Sequence, residues 1–185
     1  MPQKAPDAAT LYEAALNHMA RYAATESGLA RVLARRIDRW AQKQEPDEGL
    51  SHITRRAKAE IPGVLAKLAK IGVLNDEAFA ASRAQRLTRS GKSRRATLAH
   101  LAAKGIKVPQ VADDPQRELA AACVYLRRRR AGPYGTAVFE KILAAMARGG
   151  FSQAIARHAF ALTRDEADVL IKSLDQDAST AHDLT

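Results

Sequence analysis

Arginine is the chemically capable side chain that this sequence supplies in groups. Arg31, Arg35 and Arg39 recur at intervals of four and Arg83, Arg86 and Arg89 at intervals of three. Arg94 and Arg95 are adjacent, Arg127, Arg128, Arg129 and Arg130 are consecutive, and Lys141 and Arg148 follow. A guanidinium stays protonated at any physiological pH, so it serves poorly as a general base. Its planar fork of donors instead binds phosphate and carboxylate groups bidentately. The chemistry on offer is therefore recognition of a polyanion or an acidic protein surface. A solvated surface position is the ordinary reading of any single arginine, and the case rests on the groups together.

No catalytic constellation accompanies them. Gly91-Lys92-Ser93 looks like the end of a phosphate-binding loop, but the required first glycine falls at Arg86 and no strand precedes it. Gly132-Pro133-Tyr134-Gly135 has the spacing of a nucleotide-clamping GxxG loop, yet the sheet of that fold is missing and the proline removes a backbone donor, so it reads as a turn. His18, His52, His100, His158 and His182 are scattered over five segments without metal-ligand spacing or a paired carboxylate. The single cysteine, Cys123, excludes an internal disulfide and reads as a small core residue on the apolar face of a helix. The expectation is a non-enzymatic protein with no catalytic residue, no metal and no cofactor.

Charge is uneven along the 185 residues. Residues 1–164 hold 29 Lys and Arg against 14 Asp and Glu, a net +15, whereas residues 165–185 hold one Lys against six acids, a net −5. A body so charged attracts nucleic acid or an acidic protein surface. The N-terminus lacks an apolar core segment and nowhere do 18 apolar residues run together, so the expected location is the cytoplasm, with no membrane contact.

The elements that must position the arginines are helical throughout. Ala, Leu, Arg, Lys and Glu dominate and β-branched runs are absent, which predicts an all-α chain. After a mobile arm at 1–10, a first helix is predicted from about Leu11 to Ala24. A second, capped by Ser27, places Leu29, Leu33, Ile37 and Trp40 on one stripe, with Arg31, Arg35 and Arg39 about 200° around from it. A long third helix from Ser51 either kinks at Pro62-Gly63 or begins afresh with Pro62 in its first turn. Asn75 caps a fourth helix ending near Gly91, and Ser93 opens a fifth with Leu98 and Leu101 inward. Val108 to Ala112 allows a turn or two. Asp114-Pro115 starts a helix running to about Arg130, with Leu119, Cys123 and Leu126 inward. Val138, Phe139, Ile142, Leu143 and Met146 form a broad apolar face on the next, Ser152 caps another, and Thr163 with Glu166 fits a capping box for a short last helix through Leu174, beyond which disorder is expected.

A pattern recurs among these helices. Leu65, Leu68 and Gly72 followed by Val73 have the spacing of Leu98, Leu101 and Gly105 followed by Ile106, and of Leu143, Met146 and Gly150 followed by Phe151. Glycine supplies the left-handed position on which helices end. With Val64, Leu65, Leu68 and Ile71 on one face, the first copy makes a sharp helix-helix corner. Self-similarity at this period predicts stacked helical repeats. The expected fold is three tandem three-helix repeats, residues 11–71, 72–112 and 113–162, stacked into an elongated, curved, solenoid-like body with an acidic tail at 163–185.

The chain resembles the RecX family, bacterial modulators of the RecA recombinase. The likeness rests on the Gly-apolar-Leu-Asn-Asp-Glu-x-Phe-Ala stretch at Gly72 to Ala80, the Leu-x-x-Leu-x-x-x-Gly-Ile at Leu98 to Ile106, and Gly150-Phe151 before the last helix of the third repeat. It covers about residues 11–162. The resemblance implies tandem three-helix repeats that bind RecA and its filament on DNA and inhibit its ATPase, recombinase and co-protease activities. The departures are the longer segment at 40–60, the shortened sixth helix and the acidic tail.

The residues expected to bind RecA or DNA are Arg31, Arg35, Arg39, Arg83, Arg86, Arg94, Arg95, Arg127, Arg128, Arg129, Arg130, Lys141 and Arg148. A monomer is expected, binding single- or double-stranded DNA weakly and without sequence preference. A free-standing helical DNA-binding protein or transcriptional repressor is the alternative. The second helix offers almost only arginine and aspartate, which favours backbone or protein contacts over base readout.

Overall fold

A computed structural model of the chain describes residues 4–47, 49–107 and 111–182, with side chains through Gln176. Among the described residues the chain is all-helical. Ten α-helices follow in order: α1 Ala8–Met19, α2 Glu26–Ala41, α3 Leu50–Ala59, α4 Ile61–Lys70, α5 Asp76–Arg89, α6 Arg94–Ala103, α7 Pro115–Arg129, α8 Phe139–Arg148, α9 Gln153–Ala161 and α10 Arg164–His182, with a 3-10 turn at Gly132–Tyr134 before α8. They form two compact units, Met1–Phe79 with Lys104–Ile106, and Ala80–Ala103 with Lys107–Thr185.

In the first unit, α1 begins inside the segment expected to be an arm, because the Asp7 side chain accepts the Thr10 amide and caps it. The same bond, with help from the Thr10 hydroxyl and Lys4, holds the Asp7 carboxyl below the usual carboxylate range. The cap of α2 is Thr25 and not Ser27: Thr25 is extended and its hydroxyl accepts from the Gly28 amide. The expected stripe holds for Leu29, Leu33 and Ile37, all fully buried, while Trp40 is half-buried at the helix end. The choice at Pro62 resolves as two helices, with Pro62 in the first turn of α4, where a missing amide removes no intrahelical bond. Gly49, not Ser51, stands at the start of α3 and supplies no side-chain cap.

Ile71 does not join the buried face of α4. The helix stops at Lys70 and Ile71 is 57% exposed. At Gly72, where φ is +76°, the chain reverses, and the residue that buries itself is Leu74 at 5% exposure, not Val73 at 41%. The Leu74 amide reaches back to the Leu68 carbonyl at 3.3 Å. After Gly105 and Gly150 the buried anchor is the next residue, Ile106 and Phe151, as expected.

In the second unit α7 is central. Its six consecutive residues Leu119 to Val124 are all buried, so no side of this stretch faces water. A helix apolar all round must be enclosed, and α9 and α10 pack against it. Arg130 follows α7 as a left-handed C-cap. The capping box at the start of α10 forms, the Thr163 amide donating to Glu166 Oε2 at 2.8 Å and the Glu166 amide to Thr163 Oγ1 at 3.4 Å. Expected disorder after Leu174 is corrected: α10 continues to His182, and Ala167, Ile171 and Leu174, spaced four and three apart, are buried in the same cluster as α7. Val138 is also corrected. It precedes α8 as an extended residue 53% exposed, and Met146 is the fully buried residue of that helix, with Phe139, Ile142 and Leu143 half-buried. The turn expected at Val108 to Ala112 falls largely on residues 108–110, outside the described residues.

Candidate functional site

The arginines divide by what their guanidinium groups already do. On α2, Arg31, Arg35 and Arg39 are all exposed, on the side away from Leu29, Leu33 and Ile37. Arg35 Nε donates to the Arg31 carbonyl and Arg39 Nε to the Arg35 carbonyl, each at 3.3 Å, and none of the three meets a carboxylate among the described residues. Lys58 on α3 pairs with Asp38 on α2 at 2.6 Å. Arg36 on α2 and Arg55 and Arg56 on α3 are exposed as well. Reading by a four-residue stripe passed over these three; the paired arginines at 35–36 and 55–56 were their signal.

The second unit uses several of its arginines internally. Arg83 Nε donates to His100 Nε2 at 3.1 Å, joining α5 to α6. Arg94 Nε donates to the Val111 carbonyl at 3.0 Å and lies 4.0 Å from Asp113. Arg95 donates to the Ala147 carbonyl at 3.2 Å, and Arg128 to the Ser90 carbonyl at 2.7 Å. Those carbonyls belong to the C-terminal turns of α8 and α5, where helix partial charge is negative and a cation is favoured. Arg129 stacks over the Tyr125 ring at 4.7 Å. Arg86, Arg127, Arg130, Lys141 and Arg148 are exposed and make no side-chain hydrogen bond or ion pair among the described residues. Of the thirteen candidates, Arg83, Arg95 and Arg128 tie one helix to another, Arg94 ties α6 to the segment before α7, Arg129 stacks within α7, and the other eight pair with no acid among the described residues.

Two side-chain junctions govern where these helices start. In the first unit the Thr25 hydroxyl, 2% exposed, accepts the Gly28 amide at 3.0 Å and donates to the Lys104 carbonyl at 2.7 Å, and the next amide, Glu26, donates to Asp76 Oδ1 at 2.8 Å. In the second unit the fully buried Ser93 hydroxyl accepts the Ala96 amide at 3.1 Å and donates to the Gly149 carbonyl at 2.6 Å. The next amide, Arg94, donates to Glu118 Oε2 at 2.8 Å. Burial raises the Glu118 carboxyl above its ordinary value, against the opposing pull of the Arg94 amide and charge.

Buried chemistry elsewhere is structural. Cys123 is fully buried, and burial pushes its thiol up to about 11. The Tyr134 hydroxyl donates to Asp168 Oδ1 at 2.8 Å, fastening α10 to the 3-10 turn. Among the described residues no three His, Cys, Asp or Glu side chains are placed to hold a metal ion, and no helix is long and apolar enough to cross a membrane.

No family model matches the chain, and no solved structure matches it. It is 38% identical over 159 residues to the regulatory protein RecX of Myxococcus xanthus, a match covering 80% of this chain and 82% of that protein. It is 32% identical over 108 residues to the regulatory protein RecX of Agrobacterium fabrum, covering 55% of this chain and 59% of that one.

Proposed function

The chain belongs to the RecX family of regulatory proteins, and from that membership we propose that it regulates RecA without catalysing a reaction of its own. It binds RecA and the RecA filament on DNA through its outward arginines and lowers the filament's ATPase, recombinase and co-protease activities. The observation that carries this reading is the 38% identity to a RecX protein across four-fifths of both chains. The physical support is the set of exposed arginines that meet no acid among the described residues: a guanidinium in that state is available to phosphate and carboxylate alike.

Three-helix units at 11–71, 72–112 and 113–162, the last extended by α10, belong to the same proposal. The two junctions with one donor and acceptor pattern support it. Binding to DNA alone is weak, salt-dependent and indifferent to sequence, because arginine without Asn, Gln or Ser at reading positions contacts phosphate. The protein works in the cytoplasm as a monomer.

The test is affinity for a RecA filament on single-stranded DNA, measured for the Arg31, Arg35, Arg39→Ala variant beside one lacking Lys4, Lys43 and Lys172, which loses the same charge. The arginine variant should keep its helicity and bind far more weakly, and the wild-type chain should slow the filament's ATPase. Equal losses in the two variants would show that net charge alone does the binding. Discrimination of one duplex sequence by about a thousandfold would support a repressor instead.

A further inference from the structure

The junctions at Thr25 and Ser93 share one hydrogen-bond pattern. In each, a hydroxyl at the N-cap accepts the amide three residues on and donates to the carbonyl just before a glycine that closes another helix. In each, the amide of the following residue donates at 2.8 Å to a carboxylate in the first turn of a third helix, Asp76 of α5 or Glu118 of α7. The closing glycines, Gly105 and Gly150, are both left-handed, with φ of +90° and +93°. A methyl on Gly105 would stand 2.4 Å from Ser27 Cβ, and one on Gly150 would stand 2.5 Å from Ser93 Oγ. Three matched hydrogen bonds and a matched left-handed glycine mark one joint built twice. Val138, which precedes α8, offers no side-chain cap, so that helix does not start in the same way.

The helix each joint fixes is one that carries arginines. Thr25 sets the start of α2, whose next turns bear Arg31, Arg35 and Arg39. Ser93 sets the start of α6, which opens with Arg94 and Arg95, the latter bonded to the Ala147 carbonyl two residues before Gly149. One oxygen satisfies a helix start and a helix end together, groups that otherwise lack partners, and neither joint contributes charge through its hydroxyl.

We propose that Thr25 and Ser93 are positioning residues: their hydroxyls hold the arginine-bearing helices α2 and α6 in the register that a polyanionic filament reads. This rests on the reading of Arg31, Arg35 and Arg39 of α2 and the exposed Arg95 of α6 as filament-binding, the Arg95 bond to a carbonyl leaving its charge without an acid. Linked weak contacts strengthen one another only when geometry allows them to engage together. Loss of a joint hydroxyl should therefore weaken filament binding with no change in charge, while a short duplex, which needs one arginine group, should be little affected.

The full chain is tested as Thr25→Val, Thr25→Ser and Ser93→Ala. Two measurements are made: amide exchange at Glu26, Gly28, Arg94 and Ala96, and affinity for a RecA filament on single-stranded DNA beside a short DNA duplex. Thr25→Val and Ser93→Ala should speed exchange at their own joint and lower filament affinity by about tenfold, with duplex affinity within about twofold. Thr25→Ser, which keeps the oxygen, should restore both. Faster exchange with unchanged filament affinity would overturn the positioning role and leave the filament reading standing. Equal losses on filament and duplex would overturn it too, as general loosening. A wild-type chain that fails to bind the filament would remove the filament reading, and the positioning role with it. Should Ser93→Ala unfold, the Thr25 variants decide, since Thr25→Val exchanges the hydroxyl for a methyl and Thr25→Ser keeps the hydroxyl and loses only the methyl.

Discussion

The Ser93 hydroxyl donates to the Gly149 carbonyl at 2.6 Å, across 56 residues of sequence. Ser93 is fully buried, and beside this bond the Arg94 amide ends on Glu118. Glu118 is thus an acid held at a helix start by geometry while burial resists its charge.

Glu118→Gln keeps an oxygen acceptor for the Arg94 amide and removes the half-buried charge. Because burial raises the Glu118 pKa in the fold, the native state holds this proton more tightly than the unfolded chain does. Its contribution to stability is greatest below the unfolded value and is lost as pH rises through the raised one. In urea unfolding, the stability of the wild-type chain relative to Glu118→Gln should fall as pH rises from acid to neutral. Glu118→Ala, which leaves the amide without its partner, should lose about 1–3 kcal/mol at neutral pH.

Gly72 and Gly91 are both left-handed, with φ of +76° and +80°, but they differ in surroundings. A Cβ on Gly72 meets nothing within 4 Å, whereas one on Gly91 would stand 2.9 Å from the Tyr125 backbone nitrogen of α7. Gly72→Ala should cost about 1–2 kcal/mol, the strain of a left-handed alanine alone. Gly91→Ala should cost clearly more, because the end of α5 must also move off α7. Equal losses in denaturant midpoint would refute the close approach.

The acidic C-terminal segment is part of the core for its first three turns. Ile171→Ala should destabilise by about 2–5 kcal/mol as a buried deletion, and Thr163→Ala by about 1 kcal/mol as a lost cap. Removal of residues 177–185 should leave the melting temperature within a degree or two of wild type, since Ala167, Ile171 and Leu174, which pack α10 into the core, all precede the cut. A cooperative, unshifted melt after truncation at Leu162 would contradict the packing of α10 on α7.

Cys123 should be inert to thiol reagents in the folded chain at pH 8 and reactive once urea unfolds it. Its thiol is raised from an ordinary 9.0 to about 11 by burial and by the Asp168 charge. The neutral thiol is the form the fold accepts, so its contribution to stability is whole below pH 9 and is lost as pH climbs from 9 through about 11. A Cys123→Ala chain should lack that alkaline segment of the stability curve. Rapid labelling of the native thiol would place Cys123 at the surface.

Much of the architecture was legible in the residues. Apolar spacing located the buried stripe of α2, Asp114-Pro115 and Ser152 marked helix starts, and Thr163 with Glu166 announced its capping box, because each depends on atoms within one or two turns of chain. The left-handed glycines at 72, 105 and 150 were readable for the same reason. The run Leu119 to Val124 also held a signal that was passed over: six small or apolar residues in succession require neighbours on every side.

Long-range partners decided the rest. Thr25 and Ser27 are equally good caps by type; what selects Thr25 is the Lys104 carbonyl, 79 residues away, which takes its hydroxyl proton. Helical spacing gave Ile71 a buried face, but the helix ended one residue too soon. Acidic composition described residues 163–185, while burial of Ala167, Ile171 and Leu174 made their first turns core. Among the arginines, Arg128 and Arg130 are alike in sequence. Only the fold spends Arg128 on the Ser90 carbonyl and leaves Arg130 outward, because a guanidinium's role is set by whichever acceptor the packed chain brings within about 3 Å of it.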